Sequence, residues 1–133
     1  MKETDMYAKL RIMFVKNSCL VQRIESGITG VGIPDIFFRT KHTDGWIELK
    51  EISWPIKKET KIYIPFRSGQ FYWIHKYSCL CGNMFLVCSI RGETNIYMFR
   101  RSYILREYTQ KEFLRGACYI GKINKLTMND FNN

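Results

Sequence analysis

At 133 residues the chain has the size of one domain with one core, and its 46% hydrophobic and 15% aromatic content excludes a disordered polymer. Lys and Arg number 21 against 12 acids, a net charge of +9, which favours a polyanionic partner, nucleic acid first, over a merely soluble basic protein. No apolar run approaches the roughly 18 residues of a membrane span, and the charged opening MKETDMYAKLRIMF lacks an apolar signal region, so no membrane is expected and the cytoplasm is the expected location.

Residues Glu3 to Val15 read as a helix with an imperfect apolar stripe through Tyr7, Leu10, Ile12, Met13 and Phe14. Cys19 to Glu25 reads as a first strand and Ser26 to Gly32 as a glycine-rich loop. Ile33 to Phe38 is a second strand, with Pro34 at its start where no ladder donor is needed. Asp44-Gly45 is a turn dipeptide, and Trp46 to Ile52 follows as a third strand. Ser53 to Pro65 is basic and irregular. Arg67 to Cys79 reads as a helix with Gln70, Trp73, Ile74 and Tyr77 on one face. Met84 to Ile90 is continuously apolar but for Ser89, the mark of a strand covered on both faces. Asn95 to Phe99 is another strand, and Thr109 with Glu112 spells a capping box before a last helix. The stretch after Gly121 is polar and reads as peripheral.

One region combines charge with apolar strands: GVGIPDIFFRTKHTDGWIELK, Gly30 to Lys50. Strand side chains alternate between faces, so Glu48 and Lys50 project together while Ile47 and Leu49 face the other way. A hairpin would bring Asp35 beside Glu48. Two carboxylates that close need either a shared proton or a cation between them. Mg²⁺ is suited to the second case, with Asp35, Glu48 and the Leu49 backbone carbonyl as its protein ligands. Lys50 would then orient a water for phosphodiester hydrolysis. The competing reading is a solvated hairpin, because a bare Glu-x-Lys is common; against it, lone charges inside such apolar strands are costly.

The order Gly32-x-Pro34-Asp35, a turn, Glu48-x-Lys50, then a helix bearing Gln70 resembles the motif of the PD-(D/E)xK nuclease superfamily, and in particular its VRR-NUC branch and archaeal-type or phage Holliday junction resolvases. The resemblance spans residues 23–90. It implies a single nuclease domain over 1–133, with its motif core at 19–99 and a C-terminal extension at 100–133. It implies an α/β, restriction-endonuclease-like fold, a mixed central sheet flanked by helices on both faces. It further implies Mg²⁺, with Mn²⁺ as substitute, at Asp35 and Glu48; Lys50 serving the water; Gln70 beside them; and Glu25 as a further acid. Related resolvases carry an acid on the first helix, where Glu3 and Asp5 stand, though both also suit a helix N-terminus. The expected substrate is branched or duplex DNA, the expected assembly a homodimer, and the expected location the host cytoplasm if the chain is phage-encoded. The insert between Lys50 and Gln70 is longer than the family often keeps.

Around this motif, Lys57, Lys58, Lys61 and Arg67 are candidate nucleic-acid contacts. Trp54 and Tyr63 are either base-stacking or buried. Arg100, Arg101, Arg106, Lys111 and Arg115 extend a DNA surface or solvate the last helix. His42 reads as exposed, and His75, Phe71, Tyr72, Trp73 and Phe85 as packed. The five cysteines, Cys19, Cys79, Cys81, Cys88 and Cys118, are odd in number and lack zinc-site spacing, so reduced thiols are expected.

Overall fold

In the computed structural model, which describes residues 1–24 and 32–132, the apolar run Met84–Ile90 is a strand with every residue buried. The elements are α1 (Glu3–Lys16), β1 (Leu20–Arg23), β2 (Ile36–Arg39), β3 (Asp44–Ile52), β4 (Ile62–Tyr63), α2 (Gln70–Cys79), β5 (Met84–Ile90), β6 (Asn95–Arg100), β7 (Glu107–Tyr108), α3 (Gln110–Gly116) and β8 (Tyr119–Lys122). Short 3-10 turns cover Arg101–Tyr103, Ile123–Lys125 and Met128–Phe131.

A six-stranded sheet runs in the order β1-β2-β3-β5-β6-β8. Its neighbours pair antiparallel except at the centre, where β3 and β5 run parallel. A parallel pair needs a crossover connection, and the chain from Ser53 to Asn83, containing α2, supplies it. β4 and β7 form a separate two-stranded sheet. The period-2 alternation of β2 and β3 sorts their side chains between two cores. On one face Met6, Leu10 and Phe14 of α1 pack on Ile36, Phe38, Ile47 and Leu49. On the other, Ile74 of α2 and Phe113 of α3 pack on Met84, Leu86, Cys88 and Phe99. The expected mixed α/β fold, helices on both faces, is the one observed. Among the described residues no helix is long and apolar enough to cross a membrane.

Three expectations are corrected. The hairpin loop is 40–43, closed by the Thr40 N–H donating to the Thr43 carbonyl (2.7 Å) and by the Thr40 hydroxyl accepting from the His42 and Thr43 amides (3.1 Å each). Asp44-Gly45 therefore belongs to β3, because the Thr40 side chain already provides the turn. The second correction concerns the end of the chain, which is neither peripheral nor polar in its packing. β8 joins the sheet edge, and Ile123, Leu126 and Phe131 are buried in the α1-side core. The ring of Phe131 contacts Phe14, Phe38 and Phe85 at 5.2, 5.8 and 5.1 Å between centroids. Lastly, Tyr72 and His75 are exposed, not packed, since they lie off the α2 stripe that buries Gln70 and Ile74.

Candidate active site

The register of the β2–β3 hairpin decides what surrounds Asp35. Ile36 pairs with Ile47. Continuing that register places Pro34 opposite Leu49, and proline has no N–H to offer the Leu49 carbonyl. The Leu49 amide instead donates to Asp35 Oδ2 (3.2 Å), and the Asp35 amide donates to Glu48 Oε1 (3.1 Å). Each carboxylate thus commits one oxygen to backbone and turns the other toward a cation. Asp35 Oδ1 lies 3.7 Å from Arg67 Nη2, and Glu48 Oε2 lies 3.0 Å from Lys50 Nζ, at ion-pair distance but without hydrogen-bond alignment.

Burial differs sharply along this cluster. Glu48 is 1% exposed and Lys50 7%, whereas Asp35 is 19% exposed at the mouth. Burial, then the charge of Asp35, pushes the Glu48 carboxyl up to about 8; the Lys50 ammonium only partly offsets this. Lys50 is steadied from its other side by the Phe66 ring, 5.8 Å from Nζ.

α2 delivers Gln70 to the same face. Gly32, at φ +88°, lets the chain pass so close to the helix start that a Cβ there would lie 2.5 Å from the Gly69 carbonyl oxygen. Gln70 is fully buried; its Oε1 accepts from the Arg67 amide (3.1 Å), while its Nε2 has no hydrogen-bond partner in the described structure. Arg67 also donates to the Ile33 carbonyl (3.2 Å), so it binds both the loop and the carboxylate of the proline motif.

Of the residues singled out from sequence, Asp35, Glu48, Lys50, Gln70 and Arg67 come together. Lys57, Lys58 and Lys61 do not reach the carboxylates. Their loop packs toward α3, where Lys61 pairs with Glu107 (3.2 Å) and the Lys57 carbonyl accepts from Gln110 Nε2 (3.0 Å). Trp54 is half-buried against Phe113, and Tyr63 is exposed. Glu25 falls outside the described residues. Glu3 does reach the cluster electrostatically: its carboxyl is raised by burial first and by Asp35 second, with Lys50, Arg23 and Arg67 opposing. Phe66 had no signal in the sequence beyond its place between a proline and Arg67.

Do these groups suit a divalent metal? Among the described residues no three His, Cys, Asp or Glu side chains form a metal cage. Mg²⁺ does not require one, since one or two carboxylates with waters and substrate phosphate suffice. Two adjoining carboxylates, one with its ionisation suppressed first by burial and then by the charge of the other, match that need.

No protein-family model matches the sequence, and neither does any curated protein. Among solved structures, the fold is similar to that of Hjc, a Holliday junction resolvase from the archaeal hyperthermophile Archaeoglobus fulgidus, at a TM-score of 0.58 and 15% identity, covering 92% of this chain and 97% of that one. The chain shares the mixed, helix-flanked α/β fold of that structure.

Proposed function

We propose that this protein is a metal-dependent DNA endonuclease of the PD-(D/E)xK type, close to the VRR-NUC branch, and most specifically a Holliday junction resolvase acting as a cytoplasmic homodimer. One observation carries the reading: Asp35, at the entry to β2, and Glu48 and Lys50 of β3 lie together around two carboxylates whose charges conflict, with Arg67 bridging from Asp35 to Gln70 at the start of α2. Asp35, Glu48 and the Leu49 carbonyl would hold Mg²⁺ or Mn²⁺. When bound, the ion would polarise a phosphate oxygen and lower the pKa of a water.

The protein's own groups do the rest. Lys50, fixed between Glu48 and Phe66, orients the attacking water and stabilises negative charge as it builds on phosphorus. The new water-oxygen to phosphorus bond forms as the phosphorus to sugar-oxygen bond breaks, leaving a phosphomonoester and a hydroxyl. Arg67, exposed beside Asp35, is placed to hold a phosphate oxygen. A four-way junction needs two symmetric cuts, which a two-fold dimer provides.

The test is cleavage of a labelled four-way junction and a matched linear duplex, with Mg²⁺ or with EDTA, beside Asp35→Asn. Metal-dependent paired nicks in the junction alone, reduced by about 100-fold or more in the variant, are the expected result. Equal cutting of both substrates removes the junction specificity but keeps the nuclease. Binding without cutting under every metal condition makes the chain a non-catalytic nucleic-acid-binding module.

A further inference from the structure

The two carboxylates of the site meet their cations on unequal terms. Asp35 Oδ2 accepts from the Leu49 amide (3.2 Å), a backbone donor fixed in β3, so Oδ1 is the oxygen that Asp35 has to offer. Arg67 Nη2 stands 3.7 Å from Oδ1 while donating to the Ile33 carbonyl (3.2 Å). A separation of 3.7 Å is charge attraction without a hydrogen bond. Glu48 Oε2 faces Lys50 Nζ at the shorter 3.0 Å, and Lys50 is enclosed, 7% exposed and lying against the Phe66 ring. The Arg67 side chain is 44% exposed. Its backbone, by contrast, is pinned to the start of α2: the amide donates to Gln70 Oε1 (3.1 Å) and the carbonyl accepts from the Gln70 amide (2.9 Å). Arg67 is thus a long side chain on a fixed root, with its charged end at the mouth of the site.

A divalent cation on Asp35 Oδ1 and a guanidinium beside the same oxygen are like charges across a short gap, and they repel. Arg67 therefore competes with such a cation for Asp35. Its contact with Asp35 is one that it gives up cheaply, since a long, partly exposed ion pair contributes little. A phosphate offers it more, because the planar fork of a guanidinium matches two phosphate oxygens at once.

We propose that Arg67 is a displaceable counter-ion: it neutralises Asp35 while no cation is bound, and it moves to a DNA phosphate when a divalent cation takes Asp35, so that cation and DNA bind cooperatively. The inference rests on the nuclease reading of the site. Arg67 acts on the cation through Asp35, as a positioning residue, and the coupling runs both ways. A phosphate that draws Arg67 off Asp35 raises the affinity for the cation by the same factor as the cation raises the affinity for the phosphate. The site therefore fills with metal most readily when DNA is already at its mouth.

The test is a thermodynamic box on the full chain and Arg67→Gln at constant ionic strength. Ca²⁺ is the probe ion, because it too takes carboxylate oxygens. Calorimetry gives the Ca²⁺ Kd without DNA. Fluorescence anisotropy gives the Kd of a labelled four-way junction in EDTA and in saturating Ca²⁺. Arg67→Gln is expected to bind Ca²⁺ about fivefold or more tightly than the parent, the lower end of ordinary coupling. Its gain in junction affinity on adding Ca²⁺ should shrink by the same factor. A substitution that merely loosened the site would weaken Ca²⁺ binding, the opposite sign. Unchanged or weaker Ca²⁺ binding in the variant overturns the proposal, and so does Ca²⁺ binding by neither protein. Tighter binding with an undiminished gain also overturns it, since Arg67 is then a fixed repulsive charge that does not pass to DNA. Cleavage of the same junction in Mg²⁺ is scored separately. The expected box without cleavage sinks the nuclease and keeps the counter-ion, whereas cleavage with equal Ca²⁺ affinities does the reverse.

Discussion

Glu48 shows how one buried carboxyl links stability to ligand. Unfolded, it ionises near 4.5; folded without metal, at about 8, chiefly because burial strips its solvation. Between those values the folded state keeps a proton that the unfolded state has lost. Its contribution to stability therefore falls as pH rises through the window and levels off above about 8. Urea unfolding from pH 5 to 9 should show this decline in EDTA, and Glu48→Gln should flatten it. A divalent cation competes with that proton, so Mg²⁺ or Mn²⁺ should raise Tm more at pH 8 than at pH 6. At about 100 times Kd the gain is about 2.7 kcal/mol, and a thermal melt with and without EDTA reads it independently of any cleavage. Equal shifts at both pH values would speak against Glu48 as a ligand.

At the scale of elements, the meeting of the β2 entry with the start of α2 depends on Gly32. Its positive φ and the missing Cβ are both required where the chain passes the Gly69 carbonyl. Gly32→Ala is expected to cost on the order of 1–3 kcal/mol and to move Gln70 off the site, so cleavage should drop further than denaturation midpoints alone explain. Thr109→Ala makes the contrast. It removes a capping box in which the Glu112 amide donates to Thr109 Oγ1 at 3.0 Å and the Thr109 amide donates to Glu112 Oε1 at 2.7 Å. It should cost about 1 kcal/mol and leave cleavage at saturating DNA unchanged.

These elements were legible in the sequence where pattern is local. The alternation of 46–52, the unbroken apolar run of 84–90 and the α2 stripe each gave an element within a few residues of its observed bounds. The meeting of Asp35, Glu48 and Lys50 was legible too, since pairing the two strands as a hairpin sets Asp35 beside Glu48 and strand alternation sets Lys50 on the same face. Arg67, Phe66 and Glu3 took their places through contacts between segments distant in sequence, for which spacing offers no guide. The same holds for the lysines at 57, 58 and 61: proximity along the chain to Lys50 did not become proximity in space, because β4 pairs with β7 and draws that loop toward α3.

For the whole molecule, the two ends of the chain meet in one core. Phe131 fills the space between Phe14 of α1 and Phe38 and Phe85 of the sheet, and its carbonyl accepts from the buried Asn83 side-chain amide (3.2 Å). A short polar segment gave no sign of this, since one aromatic among Asn, Asp and Thr has no period to read. Phe131→Ala is expected to cost about 3–5 kcal/mol, far beyond a surface truncation, and chemical denaturation measures it directly. The net charge of +9 belongs to this scale as well. Junction affinity should fall linearly in log Kd against log salt, and Arg67→Gln should reduce the slope by about one phosphate contact.

The position of Phe131 also sets the order of events during synthesis. The sheet that carries Asp35, Glu48 and Lys50 is translated early, yet its α1-side core is closed by a residue translated among the last of the described chain. A nascent chain halted before residue 131 has the acids but not the plug that makes their scaffold rigid. On the nuclease reading proposed above, the scaffold of the cutting site is complete only once α1 and residues 123–131, far apart in sequence, have packed into the same core.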